Sequence, residues 1–212
     1  MATTKPILLS QTPTYSTGNS PDSVVAADVN GDGKCDIIVA KFGSNNVGVL
    51  LNIGNGTFAA QATYSTGSGS GPYYVGAVDV NGDNKTDIIV ANSGSNNVGV
   101  LLNIGNGTFL TQTAYLTGSG PTCVTAADVN GDGKPDIIVA NYNSKGVSVL
   151  LNTGNGTFAA QATYPTGTGP VCVAPVDING DNKPDIIVAN YGSNNISVLL
   201  NYYRFTDCIL FI

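Results

Sequence analysis

The sequence of 212 residues contains no histidine, no glutamate and no tryptophan, and only 10% of its residues are charged. Without His and Glu, general acid–base catalysis would depend on Asp, Lys or Tyr, and no Ser or Cys has a His partner to activate it. The eight Lys and Arg residues are spread singly, so the chain lacks the basic patch that nucleic-acid binding needs. These absences disfavour both an enzyme and a nucleic-acid-binding protein.

Long apolar segments are also missing from the sequence. No apolar run approaches the roughly 18 residues that a membrane-spanning helix needs, so we expect no transmembrane segment. The first residues, MATTKPILLSQ, lack the charged start and long apolar stretch of a signal peptide. A hydrophobic content of 42% is nevertheless enough to bury a core, so we expect a folded chain with a polar, weakly charged surface.

The acidic residues are concentrated in four copies of one nonapeptide. All 14 acidic residues are Asp, and all except Asp22 and Asp207 lie in these copies. The copies read DVNGDGKCD at 28–36, DVNGDNKTD at 79–87, DVNGDGKPD at 128–136 and DINGDNKPD at 177–185. Because three carboxylates within nine residues repel one another, the pattern predicts a bound divalent cation in each copy.

The nonapeptide marks an internal repeat with a spacing of 51, 49 and 49 residues. Each repeat holds four short segments of strand composition, which in the first repeat read SVVAADV, DIIVAKF, NVGVLLN and TFAAQATYS. The sequences GSNN and NIGNGTF between them favour tight turns, because Asn and Gly accept positive φ. Four strands in a tandem unit of this length are typical of propeller blades. We therefore predict an all-β propeller over residues 1–201, with four blades of four antiparallel strands, and a separate tail over 202–212.

The combination of the D-x-N-x-D-G/N-x-x-D loop, the following DIIVAN and then NNVGVLLNIGNGTF resembles the FG-GAP or VCBS type of repeat. Such repeats occur in integrin α-chain propellers, fungal propeller lectins and many bacterial surface proteins. The resemblance covers the chain from about residue 14 to residue 201. It implies a calcium-binding propeller outside the cell, although such propellers usually close with seven blades and this chain supplies four.

The loop chemistry supports calcium without the resemblance. Side-chain oxygens at positions one, three and five, a carbonyl at position seven and a carboxylate at position nine form an oxygen-only set that suits a hard cation. Position six, which must turn sharply, holds Gly or Asn in every copy. An EF-hand is excluded because the last carboxylate stands at position nine and strands flank the loop. The alternative is that the loops are Asx turns without a metal. The predicted ligands of four structural Ca²⁺ ions are Asp28, Asn30, Asp32, Lys34, Asp36, Asp79, Asn81, Asp83, Lys85, Asp87, Asp128, Asn130, Asp132, Lys134, Asp136, Asp177, Asn179, Asp181, Lys183 and Asp185.

Ring closure is suggested by the chain ends. The segment QTPTYSTG at residues 11–18 matches the fourth-strand sequence of the repeats, whereas the last repeat lacks a fourth strand. We predict that the N-terminal segment completes the last blade. The alternative is that it completes a blade of a neighbouring molecule, in a larger ring or a filament. The tail ends in CILFI, and the sequence leaves open whether it forms an outer strand, a cap or a subunit contact.

Cysteine and asparagine residues leave two further questions open. Cys123 and Cys172 stand at equivalent positions of adjacent repeats, where they either form a disulfide or act as small buried apolar residues. N-x-S/T sequons begin at Asn55, Asn84, Asn106, Asn155 and Asn195, and we favour a role in turn formation over glycosylation.

A non-enzymatic recognition module is the function that these features favour, with a carbohydrate or protein ligand and an extracellular location. Several near-identical repeats provide equal, weak sites that act by avidity. The candidate sugar-stacking aromatics are Tyr142, Tyr191, Phe42, Tyr73 and Tyr74, with Ser93 in the place equivalent to Phe42. The regularly spaced Tyr15, Tyr64, Tyr115 and Tyr164 are predicted to pack between blades. The alternative function is a structural protein that assembles with itself.

Overall fold

A computed structural model describes residues 14–202 of the chain. The expectations for residues 1–13 and for most of the tail lie outside this range. Within it the chain is all-β, as predicted, and its one helical element is a 3₁₀ turn at Phe42–Ser44. No helix in the described range is long and apolar enough to cross a membrane.

Four antiparallel sheets follow one another along the chain, one for each repeat. The first sheet contains β1 (Pro21–Ala27), β2 (Asp36–Lys41), β3 (Asn46–Leu50) and β6 (Ala62–Ser65). The second contains β7 (Pro72–Val78), β8 (Asp87–Asn92), β9 (Asn97–Leu101) and β12 (Thr113–Leu116). The third contains β13 (Pro121–Ala127), β14 (Asp136–Asn141), β15 (Gly146–Leu150) and β18 (Ala162–Pro165). The fourth contains β19 (Pro170–Val176), β20 (Asp185–Asn190) and β21 (Asn195–Leu199).

The predicted fourth segment, TFAAQATYS in the first repeat, is not one strand. Its first two residues pair with the three residues after β3 in a separate small hairpin, and only its end joins the sheet. These hairpins are β4 (Asn52–Gly54) with β5 (Thr57–Phe58), β10 (Asn103–Gly105) with β11 (Thr108–Phe109), and β16 (Asn152–Gly154) with β17 (Thr157–Phe158). The Asn-Gly pair forces the split because both residues take positive φ, 52° and 73° at Asn55 and Gly56, which closes a tight turn.

The second strand of each sheet has an apolar centre, Ile-Ile-Val-Ala, and in the second and third sheets this strand is buried on both faces. In β8, Ile88 and Val90 pack in a cluster with the first sheet, whereas Ile89 and Ala91 pack in a cluster with the third sheet. A third cluster joins the third and fourth sheets through residues such as Ile138. The core is therefore a series of layers between sheets, which is how the blades of a propeller pack.

The structure does not show the predicted completion of the fourth sheet by the N-terminal segment. Among residues 14–202 the fourth sheet has three strands, and residues 14–20 form no strand. Tyr15 lies against the first sheet, where its ring makes an edge contact with Phe58 and its hydroxyl accepts the Phe58 N–H at 3.2 Å. The segment is therefore held by the hairpin of the first sheet, and a closed ring of four blades is not confirmed.

Candidate metal loops

Position one of each acidic loop, Asp28 in the first, organises the loop backbone. The Asp28 carboxylate accepts the N–H of Gly31 at 2.8 Å and the N–H of Gly33 at 2.7 Å. The Gly33 N–H is the main reason why the pKa of Asp28 lies below its usual range. The same two bonds recur in the other loops at Asp79, Asp128 and Asp177.

Position six takes the left-handed backbone that the sequence predicts. The φ angles are 79° at Gly33, 62° at Asn84, 80° at Gly133 and 62° at Asn182. This turn allows the N–H of position six to point back at the carboxylate of position one. Gly and Asn are the residue types that adopt it at least cost, which explains their alternation there.

Positions five and seven form an ion pair within each loop. The Lys34 Nζ lies 2.9 Å from Asp32 Oδ2, and the equivalent distances in the next three loops are 2.8, 2.9 and 4.0 Å. The Lys34 ammonium is the main cause of the lowered pKa of Asp32. Since both side chains are partly exposed, such a pair adds little stability. One ammonium among three carboxylates leaves each loop with a net charge of −2.

Position nine differs from the other acidic positions because it is buried. Asp36 is 0% exposed, and its carboxylate accepts the N–H of Val29 at 2.9 Å and the N–H of Asn52 at 2.7 Å. It thereby ties the start of the loop to the end of the third strand. At the equivalent Asp87, burial raises the pKa, backbone N–H groups oppose this, and the negative charges of Asp83 and Asp79 add to the rise.

The sequence-predicted ligands are therefore divided between two layers. Positions one, three and five lie in the exposed loop, position seven sends its side chain to position five, and position nine lies beneath the loop. The Asn30 Oδ1 at position three accepts the N–H of Asp32 at 3.0 Å. Within residues 14–202, no three Asp, Glu, His or Cys side chains come together as a ready-made metal group. Metal binding by these residues stays a prediction.

An asparagine after the third strand is a structural residue that the sequence reasoning missed. In the second repeat the Asn103 Nδ2 donates to the Thr86 carbonyl of its own loop at 2.9 Å and to the Val29 carbonyl of the preceding loop at 2.8 Å. Its backbone N–H donates to Asp87. The asparagine recurs in every repeat, at Asn52, Asn103, Asn152 and Asn201. The signal was its fixed spacing of 16 residues from position nine.

A polar cleft of about 510 Å³ lies between the first two acidic loops. Its wall includes Asp28 and Asn30 from the first loop, Lys85 from the second and Asn106 from the hairpin of the second sheet. The residues that line it carry a carboxylate, side-chain amides and the Lys85 side chain, whose ammonium pairs with Asp83. Such a lining can bind a polar ligand that presents several hydroxyl groups.

The aromatic residues fall into two groups. Tyr64 and Tyr115 pack between neighbouring sheets as predicted, with ring centroids 5.2 and 5.4 Å from Phe109 and Phe158. Tyr164 is instead 45% exposed. Of the candidate sugar-stacking residues, the most exposed is Tyr191, at 72%; the others are Phe42, Tyr73, Tyr74 and Tyr142, each between 37% and 43% exposed.

Cys123 and Cys172 are free thiols in this structure, so the disulfide alternative is not found. Cys123 is buried, as expected for a small apolar residue, whereas Cys172 is exposed. Burial is the main reason why the pKa of the Cys123 thiol rises to about 12.

The FG-GAP-like repeat model matches residues 28–90, 79–139 and 128–188, and the chain therefore belongs to the FG-GAP-like repeat family. These matches run from the first acidic loop to the fourth. The resemblance seen in the sequence is confirmed. No curated protein sequence matches the chain.

Solved structures with propeller-like folds support the same architecture. A lectin from Agrocybe aegerita that recognises non-reducing terminal N-acetylglucosamine is 25% identical, with a TM-score of 0.51 over 83% of this chain and 51% of the lectin. Virginiamycin B lyase from Staphylococcus aureus is 18% identical, with a TM-score of 0.59 over 86% of this chain and 53% of the lyase. The biofilm matrix protein Bap1 of V. cholerae is 22% identical, with a TM-score of 0.56 over 84% of this chain and 26% of that protein. The chain thus spans about half the length of the first two.

Proposed function

We propose that the chain is a non-enzymatic calcium-binding propeller module that recognises a carbohydrate or protein ligand outside the cell. The observation that carries the proposal is the fourfold recurrence of an acidic loop with a net charge of −2 and oxygen ligands only. The non-enzymatic part is supported by the absence of His and Glu, the residues that most often move protons in active sites.

Calcium fits the donor set of each loop. In the first loop the ligands would be Asp28, Asn30, Asp32, the carbonyl of Lys34, and Asp36. The negative charges of the neighbouring Asp83 and Asp79 add to the raised pKa of Asp87, so the carboxylates of one loop repel one another, and a divalent cation would relieve this repulsion. Four ions would change the formal charge from −6 to +2. Their role is structural, because they link the two ends of a loop.

Calcium would stabilise the fold by linkage, since the loop is organised only in the folded chain. The gain is about 2.7 kcal/mol per site when free calcium exceeds the dissociation constant a hundredfold. The dissociation constant is expected to be on the order of 10⁻⁴ to 10⁻³ M, the range of extracellular modules.

Thermal unfolding with calcium and with a chelator tests the metal. We expect a higher midpoint in calcium, and we expect Asp32→Asn to reduce the shift because position five loses its charge. The matched control is Asp22→Asn, an exposed aspartate outside the loops, which should leave the shift unchanged. An equal midpoint with and without calcium, together with no heat of binding, would mean that the loops are metal-free Asx turns.

The cleft between the first two loops is the proposed ligand site. It is supported by its polar lining and by the likeness to a lectin and to a biofilm matrix protein. A glycan array that includes N-acetylglucosamine-terminated sugars tests carbohydrate binding. A bound glycan should be lost in Lys85→Ala, which truncates a side chain of the cleft wall, and retained in Lys145→Ala, which lies outside it. Glycan binding that is equal in both variants would place the ligand elsewhere.

A further inference from the structure

The first sheet has an apolar face that the described chain does not cover. Val24 in β1 is 67% exposed. Its equivalents in the next three sheets, Val75, Val124 and Val173, are 2%, 2% and 5% exposed because each packs against the preceding sheet. Val24 therefore lies on the face that, in the other three sheets, is covered by the preceding sheet.

The fourth sheet has the opposite face open. Ile196 in β21 is 67% exposed, whereas its equivalents Val47, Val98 and Val147 are each 0% exposed. Val198 is also 43% exposed. This is the face that, in the first three sheets, packs against the following sheet. The two open faces of the chain are thus the two halves of an interface that occurs three times within it.

The hydrogen bonds that cross this interface also lack one partner at each open face. Asn103, Asn152 and Asn201 each donate to a carbonyl of the preceding acidic loop, at 2.8, 2.8 and 2.7 Å. Among residues 14–202, the Asn52 amide reaches only the Cys35 carbonyl of its own loop. The carbonyl of Ile178, equivalent to the three acceptors, receives no such bond within that range. The open face of the first sheet thus has a donor, the Asn52 amide, without this acceptor. The open face of the fourth sheet has an acceptor, the Ile178 carbonyl, without this donor.

Tyr15 and Thr17 lie where the outer strand of a preceding blade would be. Tyr15 contacts Phe58 at 5.5 Å, as Tyr64 contacts Phe109 in the next repeat. The Gln61 amide donates to the Thr17 carbonyl at 3.1 Å, as Gln112 donates to Thr66 at 3.2 Å. Within the described part of the chain, the outer strand is the one that the fourth sheet lacks.

We propose that a second copy of this chain docks its fourth sheet on the first sheet of this one. The docking repeats the interface between consecutive sheets, so Val24 is covered and Asn52 gains the carbonyl of Ile178. The N-terminal segment then pairs with β21 of the second copy, with Tyr15 opposite Ile196 as Tyr64 is opposite Val47 in the first sheet. One chain covers 51% of the length of the lectin and 53% of that of the lyase, so about two chain lengths correspond to one of these proteins. Two copies related by a twofold axis, each docking its fourth sheet on the first sheet of the other, would close a ring of eight sheets.

One residue of the first face departs from its equivalents. Ser20 stands where Gly71 and Gly169 lie under an aromatic ring, and a Cβ on Gly169 would lie 3.0 Å from the ring of Tyr142. In the docked pair, Ser20 would lie under Tyr191 of the second copy, which is 72% exposed in the single chain. Ser20→Gly should therefore tighten the association.

Sedimentation velocity across a range of chain concentrations tests the proposal. We expect the chain to sediment as a dimer and both Val24→Asp and Ile196→Asp to weaken the association at least about 100-fold, because each buries a carboxylate in an apolar interface. Since both sites are exposed in a single copy, the variants should fold normally, which circular dichroism checks. The matched control is Leu116→Asp, at an outer-strand residue that is 76% exposed and lies on neither open face; it should leave the dimer intact.

Mixing the two variants gives a second readout. Val24→Asp chains keep a normal fourth face and Ile196→Asp chains keep a normal first face, so a mixed pair retains one undamaged junction. The mixture should associate more strongly than either variant alone. A chain that is monomeric at all concentrations would overturn the proposal, including the case in which residues 1–13 or 203–212 cover the faces. If the Val24→Asp variant and the Ile196→Asp variant both still form the dimer, the proposal is overturned as well.

Discussion

Replacing Asn152 with alanine tests whether single amide side chains hold neighbouring sheets together. Asn152 is 3% exposed, and its Nδ2 donates to the Val80 carbonyl of the preceding loop at 2.8 Å and to the Pro135 carbonyl at 3.0 Å. Its Oδ1 accepts the N–H of Gly154 at 2.9 Å. Alanine would leave the Val80 and Pro135 carbonyls and the Gly154 N–H without their hydrogen-bond partner.

The chain contains its own control for this substitution. Asn52 makes the two equivalent local bonds, to Cys35 at 3.0 Å and from Gly54 at 2.9 Å, but no bond to a preceding loop within the described range. Each buried group left without a partner costs about 1–3 kcal/mol. Three such groups cost at least about 3 kcal/mol, and the partial exposure of the contacts to Pro135 and Gly154 holds the total near this lower end. We therefore expect Asn152→Ala to lower the free energy of unfolding by about 3–5 kcal/mol, and by about 1–3 kcal/mol more than Asn52→Ala.

Urea unfolding followed by circular dichroism measures this difference. Both substitutions are made in the Ile196→Asp background, so that a second copy cannot supply an acceptor to Asn52. Equal losses for the two variants, or a loss below about 0.5 kcal/mol for Asn152→Ala, would show that the bond to the preceding loop contributes nothing to stability.

Two further predictions concern a thiol and a glycine. Burial is the main reason why the pKa of the Cys123 thiol is raised to about 12, so this thiol should resist alkylation at pH 8 while the exposed Cys35 reacts. Peptide mass spectrometry measures the labelling, and equal labelling of both thiols in the folded chain would contradict the burial of Cys123. Gly94→Ala should lower the unfolding free energy by about 1–3 kcal/mol, since the new Cβ would clash with the Gly69 carbonyl oxygen. An unchanged melting midpoint would show that this contact can relax freely.

The local structure of this protein was determined by the sequence alone. Short β-branched segments such as DIIVA form strands, and the Asn and Gly residues at 55 and 56 or at loop position six take positive φ. These features depend on the conformational range of single residues and on hydrogen bonds within a few positions, which residue type and spacing reveal. The repeat also predicted the four larger sheets and their antiparallel order, but not the three small hairpins.

Tertiary structure decided how the repeats meet. In sequence, Asp36 resembles the other acidic residues, but packing buries it and directs its carboxylate to two backbone N–H groups. Tyr15 lies in an outer-strand sequence and contacts Phe58 as the outer-strand Tyr64 contacts Phe109, yet residues 14–20 pair with no described strand of the fourth sheet. Equal repeats carry no information about which of them lies at an open end, because that depends on the curvature of the whole array and not on any local residue pattern.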